Sequence, residues 1–223
     1  MNTARCWTRV ALLGLALLLG CLVYPRPASA QSGWTWQHPT PTGNNLYDVW
    51  GAGGSDVFAV GDAGTILHYD GSTWQIMESH ARTTLRAVWG VNGTNVFAAG
   101  DGGIILHFDG STWSPLVSNT TDSLTDIMGS GPADVYAIGD KVMLHFDGTT
   151  WQPVLGPKQL GFAALWSRGP NELYVGSRDG FYRYDGIAWT TACSLPAGGA
   201  TGLWGSGTTV FASSGDWGSP FWR

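Results

Sequence analysis

Leu46-Tyr47-Asp48-Val49-Trp50-Gly51, then Asp56-Val57-Phe58-Ala59-Val60-Gly61-Asp62, then Ile66-Leu67-His68-Tyr69-Asp70-Gly71-Ser72-Thr73-Trp74: this stretch decides the fold, because the chain goes on to repeat it. The aromatic that ends the first block returns as Trp50, Trp89, Trp166 and Trp204, with Met128 standing in once, at steps of 39, 39, 38 and 38 residues. The later tryptophan returns as Trp74, Trp113, Trp151 and Trp189. A fixed period of this length marks stacked supersecondary units, none of which can bury its apolar face alone.

Each unit reads as four short strands. In the first, Leu46–Trp50 forms strand A and Val57–Val60 strand B, both rich in β-branched and aromatic residues. The tight turn Gly61-Asp62-Ala63-Gly64 leads to strand C, Thr65–Tyr69. Asp70-Gly71 then predicts a two-residue hairpin turn into strand D, Thr73–Met77. No useful length of the mature chain has helical periodicity, and Gly and Pro punctuate it throughout.

Four antiparallel strands at this spacing predict an all-β fold, a five-bladed β-propeller. Its blades fall at about 46–77, 85–117, 124–155, 162–192 and 200–223. The fifth copy stops at Arg223, level with Tyr69 and short of strand D. Gly33-Trp34-Thr35-Trp36-Gln37 matches Gly71-Ser72-Thr73-Trp74-Gln75, so residues 33–38 are expected to supply that strand. The domain would then span residues 33–223, closed by its own ends, with no long edge left to pair.

The beginning of the chain is a targeting segment. Arg5 and Arg9 precede an apolar run from Val10 to Val23, and Ala28-Ser29-Ala30 supplies small residues for cleavage before Gln31. Residues 1–30 therefore read as a signal peptide, too short and wrongly flanked to span a membrane. The expected destination is secretion or the periplasm of a bacterium. A second reading is a lipobox, Leu18-Leu19-Gly20-Cys21, which would tether an outer-membrane lipoprotein through Cys21.

Three of the 11 basic residues, Arg5, Arg9 and Arg26, lie in this segment, so the mature chain sets 8 basic residues against 16 acidic ones. That acidic balance, with no Lys/Arg cluster, argues against nucleic acid and anionic membranes as partners. Under simple secretion Cys193 is the one cysteine left, which excludes a disulfide framework and leaves packing to hold the domain.

The run Val60-Gly61-Asp62 followed by Asp70-Gly71-Ser72-Thr73-Trp74 resembles the propeller repeats of bacterial neuraminidases and photosystem-assembly factors, over residues 33–223. The resemblance implies a propeller fold. For function it implies either a binding or assembly scaffold or, as the alternative, a carbohydrate-binding or glycoside-hydrolysing protein. The chain departs from the neuraminidase Asp-box, Ser-x-Asp-x-Gly-x-Thr-Trp. Asp70 and Trp74 are four apart rather than five, and His68 stands where that Ser would be.

Candidate site residues are those that the repeat does not explain. The 13 tryptophans invite a sugar-stacking role, but most recur at equivalent positions, where large rings fill the wedges between blades. Trp217 instead sits on a B–C turn, level with Ala63, Gly102, Lys141 and Arg178. His68, His107 and His145 recur on strand C, rotated apart around the ring and too far from its axis to share a metal ion. No metal motif, phosphate loop or serine nucleophile elbow occurs, and no cofactor is expected. Asp48 and Asp126 occupy one position on the innermost strands of blades one and three, and are the candidates for a carboxylate pair of glycosidase type.

The favoured expectation is a non-catalytic scaffold that binds a protein or glycan ligand on the face made by D–A connections and B–C turns. Tyr47, Arg86, Lys141, Arg178 and Trp217 would make the contacts, above a crown formed by Asp62, Asp101, Asp140 and Asp216. Loops held on a rigid frame are where recognition concentrates, and segments such as Glu78–Thr84 differ from copy to copy.

Overall fold

Runs such as Val57-Phe58-Ala59-Val60 are apolar at every position rather than at alternate ones. A strand of that kind needs cover on both faces. The computed structural model, which describes residues 41–157, 161–194, 200–206 and 209–214, provides it by stacking sheets face to face.

Blade 1 is the meander β1 (Leu46–Gly53), β2 (Asp56–Gly61), β3 (Ile66–Tyr69) and β4 (Trp74–Met77), paired in that order. Blade 2 repeats it with β5 (Leu85–Asn92), β6 (Asn95–Gly100), β7 (Ile105–Phe108) and β8 (Trp113–Leu116). Blade 3 has β9 (Leu124–Gly131), β10 (Asp134–Gly139), β11 (Met143–Phe146) and β12 (Trp151–Pro153). Blade 4 has β13 (Phe162–Gly169), β14 (Glu172–Ser177), β15 (Gly180–Tyr184) and β16 (Trp189–Ser194). In blade 5, β17 (Ala200–Ser206) pairs with β18 (Thr209–Ser214). All strands pair antiparallel, and the first strands of successive blades lie side by side. No helix among the described residues is long and apolar enough to cross a membrane.

Between blades 1 and 2, 2 and 3, and 3 and 4 lies one apolar core each, built by the alternation of the second strands. On β6, Val96 and Ala98 point back to Phe58, Val60 and Ile66 of blade 1, whereas Phe97 and Ala99 point forward to Val135, Ala137 and Trp151 of blade 3. Tyr136 and Ile138 of β10 point forward in the same way to Leu165, Leu173 and Val175 of blade 4. Trp113 and Trp151 are fully enclosed, each set against the phenylalanine of the preceding blade, with ring centroids 6.2 Å from Phe58 and 6.4 Å from Phe97.

The hairpin into the fourth strand differs from the sequence expectation. Tyr69 pairs with Trp74, so the loop is the four residues Asp70–Thr73 rather than a two-residue turn. The Asp70 carboxylate closes it by accepting from the N–H groups of Ser72 (2.9 Å) and Thr73 (2.8 Å), and Gly71 takes φ +93°. Asp109, Asp147 and Asp185 repeat this geometry. The aspartate side chain does what a tighter backbone turn would otherwise do. Residues 33–38, expected to complete the last blade, lie outside the described residues, as does the segment 1–30.

Candidate binding face

The B–C turns and the segments entering each first strand are tied together by backbone hydrogen bonds, which places both on one face. Asp62 N–H donates to Asn45 O (2.9 Å) and Asp101 N–H to Thr84 O (2.9 Å). Gly61 and Gly100 make this approach possible, since a Cβ at either would fall about 2 Å from those carbonyl oxygens, at 2.0 and 2.1 Å.

On this face Tyr47, Arg86, Asp62 and Asp101 come together across blades 1 and 2. Arg86 donates through Nε (2.5 Å) and Nη2 (2.9 Å) to the two oxygens of Asp101, a bidentate pair. Its guanidinium carbon lies 5.8 Å from the centroid of the exposed Tyr47 ring. Asp62 accepts from Asn45 Nδ2 (2.9 Å) and from Thr84 Oγ1 (3.3 Å), a residue just before blade 2. The Tyr47 phenol, then these two groups, hold the Asp62 carboxyl below the usual carboxylate range. Arg86 does the same for Asp101, and Asp101 in turn raises the guanidinium.

A second group spans blades 3 and 4. Arg178 Nη2 lies 3.2 Å from Asp140 Oδ1, both exposed, with the exposed Lys141 next in the same turn. The aspartates therefore do not form a crown of bare carboxylates: Asp62, Asp101 and Asp140 each have a side-chain partner. Trp217 and Asp216 lie outside the described residues.

Asp48 and Asp126 are also brought into one electrostatic neighbourhood, but each is occupied. Asp48 accepts from its neighbour Val49 N–H (2.8 Å) and from Val88 N–H of blade 2 (2.8 Å). Asp126 accepts from Ile127 N–H (2.8 Å) and Leu165 N–H of blade 4 (2.7 Å). Each is a clip from one inner strand to the backbone of the next. Burial raises both, and the charge of Asp48 adds to the effect on Asp126, which is pushed up to about 7.

The strand-C histidines have local partners. His68 Nε2 meets Asp56 at 2.7 Å, His107 meets Asn95 at 2.9 Å and His145 meets Asp134 at 2.8 Å. Each imidazole lies over an aromatic ring of strand B, with centroids 4.5 Å from Phe58, 4.6 Å from Phe97 and 4.4 Å from Tyr136. In blade 4, Arg183 and Glu172 take over the pair at 3.3 Å. This link lies across strands B and C near the A–B turns.

Sequence reasoning missed Ser79 and Ser118, which are buried on the D–A connections although those segments look unrelated. Ser79 Oγ donates to Gly64 O (2.6 Å), and Ser118 Oγ donates to Thr120 O (3.3 Å). The following residues, His80 and Asn119, share a left-handed backbone at φ 57° and 60°. Ser followed by His or Asn at the repeat spacing was the available signal.

No protein-family model matches the chain, and no curated protein matches it in sequence. Solved structures do match it. YCF48 bound to D1 peptide is 19% identical, at a TM-score of 0.55 over 73% of this chain and 58% of that one. YCF48 from Cyanidioschyzon merolae is 15% identical, at 0.58 over 79% and 66%. The β-propeller domain of Cps50 (Swd1) from Myceliophteria thermophila is 14% identical, at 0.54 over 72% and 61%. The chain thus spans between 58% and 66% of the length of these structures. What it shares with them is the architecture: all-β, with four-stranded sheets repeated blade by blade, it is a propeller-type repeat protein.

Proposed function

We propose that the chain is a secreted, non-catalytic scaffold that holds an extended segment of a partner protein across its D–A/B–C face. In this reading residues 33–223 form a five-bladed ring, with 33–38 completing the last blade, and residues 1–30 direct export, ending in release or in a tether at Cys21.

The observation that carries the reading is the network of Tyr47, Arg86, Asp62 and Asp101. It sets a planar donor, two carboxylates and an aromatic ring in fixed positions on an accessible surface, across two blades. Groups held in place before a partner arrives lose little entropy on binding it. Structural kinship with YCF48, a propeller bound to a peptide in one of the matched structures, supports the same reading. The opposed charges of Arg178 and Asp140 extend the polar strip to blades 3 and 4.

The test is a peptide array spanning a wide range of net charge, probed with the labelled protein and followed by fluorescence anisotropy on the hits. Arg86→Ala and Arg178→Ala are each expected to weaken those hits at least tenfold, a loss of about 1.4 kcal/mol. Ser111→Ala, on a C–D turn, should leave them unchanged. Silence of the array, or hits indifferent to Arg86 and Arg178, overturns the proposal. So does hydrolysis of fluorogenic glycosides that Asp48→Asn abolishes.

A further inference from the structure

One contact recurs at the blade junctions. Trp50 lies over Gly90 of the next blade, where an added Cβ would fall 2.7 Å from its Cη2. Trp89 lies in the same way over Gly129 (2.8 Å from Cη2), and Trp166 over Gly205 (2.2 Å from Cζ2). Where Met128 replaces the tryptophan, Ser167 replaces the glycine, and Ser167 N–H lies 3.1 Å from the Met128 sulfur. Knob and hole change together.

The repeat register leaves one knob and one hole over. Gly51 is equivalent to Gly90, Gly129 and Gly205, yet the three atoms nearest a Cβ there all belong to its own blade, Val57 Cγ2 at 3.2 Å and two backbone oxygens. Trp204, equivalent to the three tryptophan knobs, is 61% exposed where Trp166 is 9% exposed. The surroundings follow suit. Val49 is 62% exposed where Val88 is at 4% and Leu165 at 2%, and Phe211 is 53% exposed where Phe58 is at 0%. Trp204 and Phe211 stack at 5.3 Å, forming one aromatic patch on the forward side of blade 5. Leu46, Val49 and Trp74 form its apolar counterpart on the rear side of blade 1, where Leu85, Val88 and Trp113 are buried in blade 2.

We propose that these two faces are the halves of one junction: Trp204 seats on Gly51, and Phe211 meets Trp74, so that blade 5 docks on blade 1 of the same chain. The proposal deepens the five-bladed ring above and rests on it. It names the side chains that close the ring. Knob and hole are complementary to each other and not to themselves, so the contact is head-to-tail, made either within one chain or reciprocally between two copies. Within one chain the two halves are held at a high effective concentration, which favours closure over capture of a second copy.

Hydroxyl-radical footprinting read by mass spectrometry tests this on the full chain, at about 1 μM and about 100 μM. Trp204 should be oxidised no faster than Trp166 at both concentrations. Gly51→Leu, which fills the hole, should raise Trp204 oxidation several-fold while Trp151 stays protected, showing that the blades remain folded. Gly53→Leu, two residues along the same strand with nothing within 4 Å of its Cβ position, should leave the pattern unchanged. Fast oxidation of Trp204 in the parent chain overturns the proposal, as does indifference to Gly51→Leu. Protection that appears only at the higher concentration overturns it in favour of a second copy. Peptide binding is read separately, so an exposed Trp204 with binding intact defeats the junction alone.

Discussion

Aspartate does opposite electrostatic work at two places in this chain. On the exposed hairpins Asp70 and Asp147 receive backbone and hydroxyl donors, which hold their carboxyls far below the usual range. On the inner strand Asp126 also receives two backbone donors, yet burial outweighs them and pushes it up to about 7. A folded state that keeps this proton up to pH 7, against an unfolded value of 3.8, binds more protons than the unfolded chain between those limits. The Asp126 contribution to stability must therefore fall as pH rises through that window. From pH 5.5 to pH 8 the loss of that contribution is expected to be about 2 kcal/mol, read as the difference between the parent and Asp126→Asn in urea denaturation with tryptophan fluorescence. In Asp126→Asn the slope over this range should flatten. The hairpin aspartates do not blur the measurement, because their contribution is lost only as pH falls through and below the unfolded value near 3.8.

At the scale of the strand, the spacing between blades is set by glycine opposite tryptophan. Gly90→Ala would place a methyl group 2.7 Å from Trp50 and 3.0 Å from the Asn95 carbonyl, forcing the two inner strands apart. Overpacking of this kind costs about 1–3 kcal/mol, visible as a lower urea midpoint. Gly53→Ala, in open space, should fall within about 0.5 kcal/mol of the parent. These same elements show what could be read in advance. Strand order and the B–C and C–D turns were legible because their side chains recur at fixed spacing. The extent of the C–D loop was not, because Asp70 acts through backbone N–H groups that leave no mark on the sequence. Asp48 and Asp126 were placed on inner strands correctly, but their partners are the amides of Val88 and Leu165, equally invisible. Arg86 and Asp101 were both named for the binding face without their pairing, since 15 residues and a strand turn separate them. Ser79 and Ser118 escaped because the connections around them have diverged while the backbone path has not.

For the molecule as a whole, stability in a repeat array approximates the sum of its units and their nearest-neighbour junctions. Blades 2 and 3 have a neighbour on each side, and Ala98, Ala99, Ala137 and Ile138 of β6 and β10 are wholly excluded from solvent. Their amides should be among the slowest in the protein to exchange with deuterium. Blades 1 and 5 depend on whether Gly51 and Trp204 meet. With that junction made, no blade has a free side, and the amides that pair Trp50 with Phe58 and Trp204 with Phe211 should exchange nearly as slowly as those of β5 and β9. Gly51→Leu should then speed exchange in β1 and β17 at least tenfold, a loss of about 1.4 kcal/mol of local stability, while β6 and β10 hold their rates. The two readings of the ring separate cleanly here, because an arc whose ends never meet would show fast exchange at both ends in the parent chain and no response to the substitution. Loss of protection in all blades at once would point to a third behaviour, in which the ring unfolds as one cooperative body and the junction supports every blade rather than its two neighbours.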